Sequence, residues 1–186
     1  MIITNEGSDL FGDPAPAGSS PVIGPSRTAA LVRDVILGGQ DGLVNVLGLV
    51  LGLAVATADS RVVLTGGLAA MLSESIAMAG VAYTSRGAET GPSASPRRRV
   101  RAAFVVGSST LLGSLVPLVW FFLLPVGVAP YAALAAAAVV LFGAGVERAR
   151  VSGGGRVRAG LELVAIGVVS ALAGYLIGRL LRAPGV

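Results

Sequence analysis

The chain has 186 residues, enough for one domain, and is 54% hydrophobic, 13% charged and +4 in net charge, with a mean hydropathy of +0.82. A soluble domain carries about 25% charged residues, so the chain has too few charges to clothe a soluble globule of this size, and a soluble helical bundle is the lesser reading. There is no Cys and no His, which excludes disulfides, thiolate and iron–sulfur sites, and the histidine chemistry of catalysis and of the usual zinc and copper centres.

Residues 1–30 are polar and rich in Gly, Pro and Ser, with the acids Glu6, Asp9 and Asp13. They read as a disordered cytoplasmic tail. No basic segment precedes an apolar one, so this is not a secretory signal. Two apolar runs follow, at 33–56 and 62–84, joined by a short polar turn. The pattern predicts a pair of transmembrane helices. Residues 85–101 are hydrophilic, hold Pro92, Pro96 and the cluster Arg97, Arg98, Arg99 and Arg101, and are expected to form a basic cytoplasmic loop.

From Ala102 to Val146 there are 45 residues without a charge. As one helix they would extend about 68 Å, twice the ~30 Å of a hydrocarbon core. The chain has to turn, and Pro125, Gly127 and Pro130 mark the place. Helices are therefore expected at 102–124 and 129–146. A glycine-rich loop at 147–158 precedes a fifth, at 159–181. The fold class is an all-α membrane protein whose five transmembrane helices occupy residues 31–182.

All 14 basic residues are arginines, and they lie between apolar runs rather than among aromatics. They read as topogenic charge, not as a nucleic-acid surface. With the N-terminus inside, 11 arginines fall in the cytoplasm and Arg61, Arg179 and Arg182 outside. That split fits the positive-inside rule for an N-in, C-out protein. The absence of Lys and the abundance of Ala, Gly and Arg suggest GC-rich coding DNA, hence a prokaryote and its plasma membrane.

Carboxylates in hydrocarbon cost about 2.5 to 3.5 kcal/mol each on insertion scales, so they mark function by default. Asp41 lies in helix one and Glu74 in helix two; Glu162 lies one turn into helix five. Asn45 is four residues from Asp41, and Met78 four from Glu74, with Met71 three before it, so each set shares a helical face. Packed as a hairpin, helices one and two would bring together carboxylate and amide oxygens and a thioether. Such a set suits Fe²⁺ or Mn²⁺ and disfavours Mg²⁺ and Ca²⁺, which take oxygen alone. Each group also has a plainer reading: hydrogen-bonded packing for Asp41 and Glu74, filler for Met71 and Met78, and pairing with an arginine for Glu162. Asp34 and Glu147 stand at span boundaries and read as interfacial. Gly38 with Gly42, and Gly48 with Gly52, form two GxxxG spacings in helix one. Either a dimer interface or a close contact within the chain would use them.

The stretch Arg33-Asp34-Val35-Ile36-Leu37-Gly38-Gly39-Gln40-Asp41-Gly42-Leu43 resembles the opening of the vacuolar iron transporter family. Helix two is similar in Glu74-Ser75-Ile76-Ala77-Met78-Ala79, and helix five in Gly160-Leu161-Glu162 and Gly174-Tyr175-Leu176-Ile177-Gly178. The resemblance runs over about residues 33–181. It implies proton-coupled export of Fe²⁺ or Mn²⁺ from the cytoplasm by a homodimer in the lipid bilayer, with no permanently bound cofactor. Asp41 matches the family's intramembrane Asp and Met78 its helix-two Met; Glu74 falls on a position that is polar or acidic in some relatives. Two features depart from the pattern. The basic segment 85–101 stands where many members carry a Glu-rich metal-binding domain, and Val81-Ala82-Tyr83 stands where Gly-Glu-Tyr is frequent. The chain thus reads as a short form lacking the cytosolic metal collector.

The expected function is secondary transport. Asp41 and Glu74 would take either protons or the cation, and Asn45 and Met78 would complete its shell. The chain lacks a GxxxxGK[ST] motif and has no nucleophile–base pair, so neither an ATPase nor another enzyme is expected. The alternative is a non-transporting membrane scaffold or accessory subunit of the same fold, assembling through its glycine faces.

Overall fold

The computed structural model describes residues 27–90 and 95–182. They form five helices: α1 (Arg27–Thr57), α2 (Ser60–Thr90), α3 (Pro96–Leu123), α4 (Ala129–Ser152) and α5 (Arg156–Leu181). Each is long and apolar enough to cross a membrane. The expected tail lies outside the described residues as far as position 26. Its last residues, 27–30, are instead the first turn of α1.

All the helices but α3's C-terminal end overrun or match the apolar runs that announced them. The expected loop at 85–101 is largely helical: 85–90 continue α2, and 96–101 open α3. The loop at 147–158 shrinks in the same way to the turn between Ser152 and Arg156. The physical reason is that an apolar run reports the hydrocarbon portion of a helix, not its hydrogen-bonded length. Thirty-one residues of α1 rise about 46 Å, well beyond a ~30 Å core, so the ends stand among headgroups and water, where arginines are welcome.

The turns are built from local chemistry. Between α1 and α2, Asp59 Oδ1 accepts the backbone N–H of Arg61 at 2.8 Å and caps α2. Ala58 stands in the left-handed region at φ 51°, where glycine is the usual residue. Pro96 begins α3, where its missing N–H is not needed. Gly153, at φ 78°, ends α4 with its N–H on the Ala149 carbonyl at 2.9 Å.

Helix α1 is the centre: it touches all four others, while α2, α3, α4 and α5 follow one another around it. Leu43, Val46, Leu47 and Val50 of α1 are fully buried. Its glycines set the spacing on two sides, and both contacts are within the chain. A Cβ at Gly38 would stand 2.7 Å from the Val106 carbonyl of α3, and Gly42 meets Thr110 and Ser114 of the same helix. One at Gly52 would stand 2.9 Å from the Gly174 carbonyl of α5, and Gly48 meets Ser170. Gly174 and Gly178 oppose Gly48 and Gly52, so two GxxxG faces pack on each other. Ser170 Oγ adds a bond to the Val44 carbonyl at 2.9 Å.

The outer surface is apolar. Ile76, Phe104, Val139 and Leu180 are each at least 72% exposed, as side chains facing lipid tails would be. Among the described residues α2 and α5 do not touch. They leave a strip of α1 uncovered between them, on which Leu37, Asn45 and Leu49 are exposed.

Candidate functional site

The hairpin of α1 and α2 runs antiparallel, and its polar side chains meet in the middle. Asn45 donates its side-chain N–H to Glu74 Oε1 across the two helices. The same Nδ2 lies 3.5 Å from Asp41 Oδ1, one turn back along α1. One amide thus stands between two carboxylates. Asp41 and Glu74 are half-buried and Asn45 is exposed, on the strip of α1 that no other helix covers.

Met78 is half-buried, one turn along α2 from Glu74. Asp41 stands four residues before Asn45 and Met78 four after Glu74, so each lies about 6 Å from the Asn45–Glu74 contact, in the same direction. The antiparallel pairing puts the second carboxylate and the thioether at one level. Met71, by contrast, is 7% exposed and belongs to the hydrophobic core with Leu118 and Phe121. Its carbonyl accepts Ser75 Oγ at 2.6 Å.

Glu162 is not with this group. It pairs with Arg148 at 2.9 Å and Arg158 at 3.3 Å, at the end of α5 where the chain has just emerged from the arginine-rich turn. Glu147 likewise pairs with Arg150. Asp34, read from the sequence as interfacial, is only 7% exposed. Both its oxygens accept from Arg86 Nη2, at 2.6 and 2.8 Å. Burial of a carboxylate requires such a partner. The signal in the sequence was spacing: Asp34 precedes Asp41 by seven residues, two helical turns, and so shares its face.

The donor set has clear chemical limits. Among the described residues no three His, Cys, Asp or Glu side chains come together as a closed metal cage. Two carboxylates joined through one amide N–H, with a thioether one turn along α2, form an open polar cluster in the hairpin. An apolar cavity of about 350 Å³ lies elsewhere, lined by Leu51, Ala54, Tyr131, Leu134, Ala171 and Tyr175 among others. No charged side chain lines it.

A family model described as "VIT family" matches residues 32–99 and again 87–179. The two matched pieces overlap across the α2–α3 link, the place where the sequence departs from the pattern it resembles. A search of curated proteins finds no match.

Proposed function

This chain belongs to the VIT family, an integral membrane family of metal-ion transporters, and from that premise we propose that it exchanges Fe²⁺ or Mn²⁺ for protons across the prokaryotic plasma membrane, exporting the metal from the cytoplasm. The observation that carries this reading is the Asn45–Glu74 contact with Asp41 one turn away. It brings two carboxylates to one point in the middle of two membrane helices.

The exchange needs no energy source beyond the gradient. Two neighbouring carboxylates accept either protons or a divalent cation, because two unneutralised negative charges in a low-dielectric site repel each other. A cation entering between Asp41 and Glu74 takes over the Asn45 side chain, whose carbonyl oxygen is a ligand once the amide turns. Met78 adds a soft donor that Mg²⁺ and Ca²⁺ do not use. Protons bound from the opposite side discharge the metal and reset the site.

The uncovered strip of α1 supports a homodimer. Asn45 faces out on it, and a polar group at mid-membrane depth is costly against lipid. A second copy placed there would bring a second Asp41, Asn45 and Glu74 close to the first. The orientation is N-in and C-out, from the arginine bias.

The scaffold reading has one observation of its own: Thr90 and Pro96 are so close in sequence that no metal-collecting domain fits between α2 and α3. Binding of Mn²⁺ to the purified protein separates the two, read as loss of the free-ion signal in electron paramagnetic resonance. The transporter binds Mn²⁺ and Glu74→Gln binds at least tenfold more weakly. Absence of binding by the folded wild type would turn the reading to the scaffold.

A further inference from the structure

We propose that the Asp34–Arg86 ion pair guards the α1–α2 seam: it stands across the way in from the arginine-rich end, and it parts before a cation reaches Asp41. The inference rests on the transport reading, and it adds to that reading the residue that controls access.

Placement comes first. On α1, Asp34 and Asp41 share a face two turns apart, about 10 Å along the axis. On α2, Arg86, Ala82, Met78 and Glu74 follow at intervals of four, a row that winds slowly around the helix. The two rows face each other, since Asp34 bonds Arg86 at one end and Asn45 bonds Glu74 at the other. The separations agree: 11 residues on α1 rise about 16 Å and 12 on α2 about 18 Å. Asp41 and Met78 lie between these two rungs. A path along the seam from the arginine-rich end therefore meets Arg86 before it meets either.

Closure comes second. Asp34 is 7% exposed, and Ala82, one turn below Arg86, is 9% exposed. One guanidinium nitrogen lies on both carboxylate oxygens, at 2.6 and 2.8 Å. The end of α2 is also held from the other side. The Arg99 guanidinium of α3 stacks on the Tyr83 ring at 4.2 Å, and its Nε donates to the Tyr83 carbonyl at 3.3 Å.

Chemistry comes third. A guanidinium keeps its charge throughout the physiological range, so it repels an approaching divalent cation and does not leave by deprotonating. Its partner is a carboxylate, the group such a cation seeks. Entry is then an exchange: the cation draws Asp34, Arg86 swings toward the headgroups, and the seam opens toward Asp41. An ion pair with a purely structural role would join the same helices, but it would leave access to the seam unchanged when replaced without loss of fold.

The chain has no cysteine, so a single thiol reports access. Ala82→Cys places it beneath the pair and leaves Asp41, Asn45, Glu74 and Met78 intact. The measurement is the rate of modification by a small cationic methanethiosulfonate in nanodiscs, where the reagent reaches both faces but not the lipid core. With Asp34 and Arg86 present, labelling is slow. Adding Arg86→Gln or Asp34→Asn raises the rate at least tenfold, and the exchange Asp34→Arg with Arg86→Asp makes it slow again. Equal rates in wild-type and folded variant backgrounds would overturn the proposal. Removing one partner of a buried pair can unfold a protein, so Arg86→Lys is the second variant. It retains the charge that pairs with Asp34, so labelling is expected to stay slow; a rate as fast as that of Arg86→Gln in folded protein overturns the proposal as well. This readout needs no transport. A wild type that moves no ion yet shows the gated labelling would defeat the transport reading and leave the guard standing.

Discussion

Asn45 of α1 donates its side-chain amide to Glu74 of α2, joining the two helices near the middle of each. The two residues are 29 apart in the chain, and the tight turn at Ala58 and Asp59 brings them together. A hydrogen bond between neutral groups is worth about 1 kcal/mol net, and one to a charged group about twice that. Glu74→Gln keeps an acceptor for Asn45 and removes the charge. It should unfold within a few degrees of wild type, read by the fluorescence of Trp120, the only tryptophan. Its metal flux should fall at least tenfold. A flux equal to wild type would remove Glu74 from the site.

Glu162 is the control carboxylate. It is about half-exposed and shared by Arg148 and Arg158, and exposed ion pairs contribute about 0 to 1 kcal/mol. Glu162→Gln is expected to change metal flux less than about twofold and stability by less than about 1 kcal/mol. A loss of flux as deep as that of Glu74→Gln would show that the site extends to α5.

Two glycine substitutions should move stability in opposite directions. A Cβ at Gly52 meets the Gly174 carbonyl at 2.9 Å, backbone that cannot swing away. Gly52→Ala should cost about 1 to 3 kcal/mol, the range for forcing atoms into a packed contact. At Gly143 nothing lies within 4 Å, and Gly143→Ala should stabilise α4 by about 0.5 to 1 kcal/mol through lost backbone entropy of the unfolded chain. Thermal unfolding in one detergent compares the pair, and the same sign for both would contradict the packing described.

Ala58→Gly tests the hairpin turn. Ala58 stands at φ 51°, a conformation that costs an L-residue about 1 to 2 kcal/mol. Glycine removes that cost and gives back part of it in entropy. The expected result is a gain of about 0.5 to 1 kcal/mol, seen as a higher unfolding midpoint. A lower midpoint would mean that the alanine methyl contributes packing.

The five spans were legible because hydrocarbon selects composition so strongly: a stretch of 45 uncharged residues with prolines at its middle has few other solutions. Helix ends were not legible. Arg97, Arg98 and Arg101 read as loop by polarity, yet the backbone there is helical, since a helix in the headgroup region needs no apolar side chains. Of the candidate site, Asp41, Asn45, Glu74 and Met78 could be grouped because a spacing of four fixes a face within one helix, and a short turn makes a hairpin. Partner choice was beyond that rule. Gly38 with Gly42 and Gly48 with Gly52 look alike in sequence, but the first pair meets α3 and the second α5. Arg86 was out of reach for the same reason: its link to Asp34 spans 52 residues, and nothing local announces it.

The most direct test of the central claim is uptake of Mn²⁺ or Fe²⁺ into proteoliposomes under an imposed pH gradient, comparing wild type with Asp41→Ala. The account predicts flux that depends on the gradient, carries protons the opposite way, and is lost in the variant while its fold is retained. Undiminished flux through folded Asp41→Ala, or no flux of either ion through folded wild type, would contradict it.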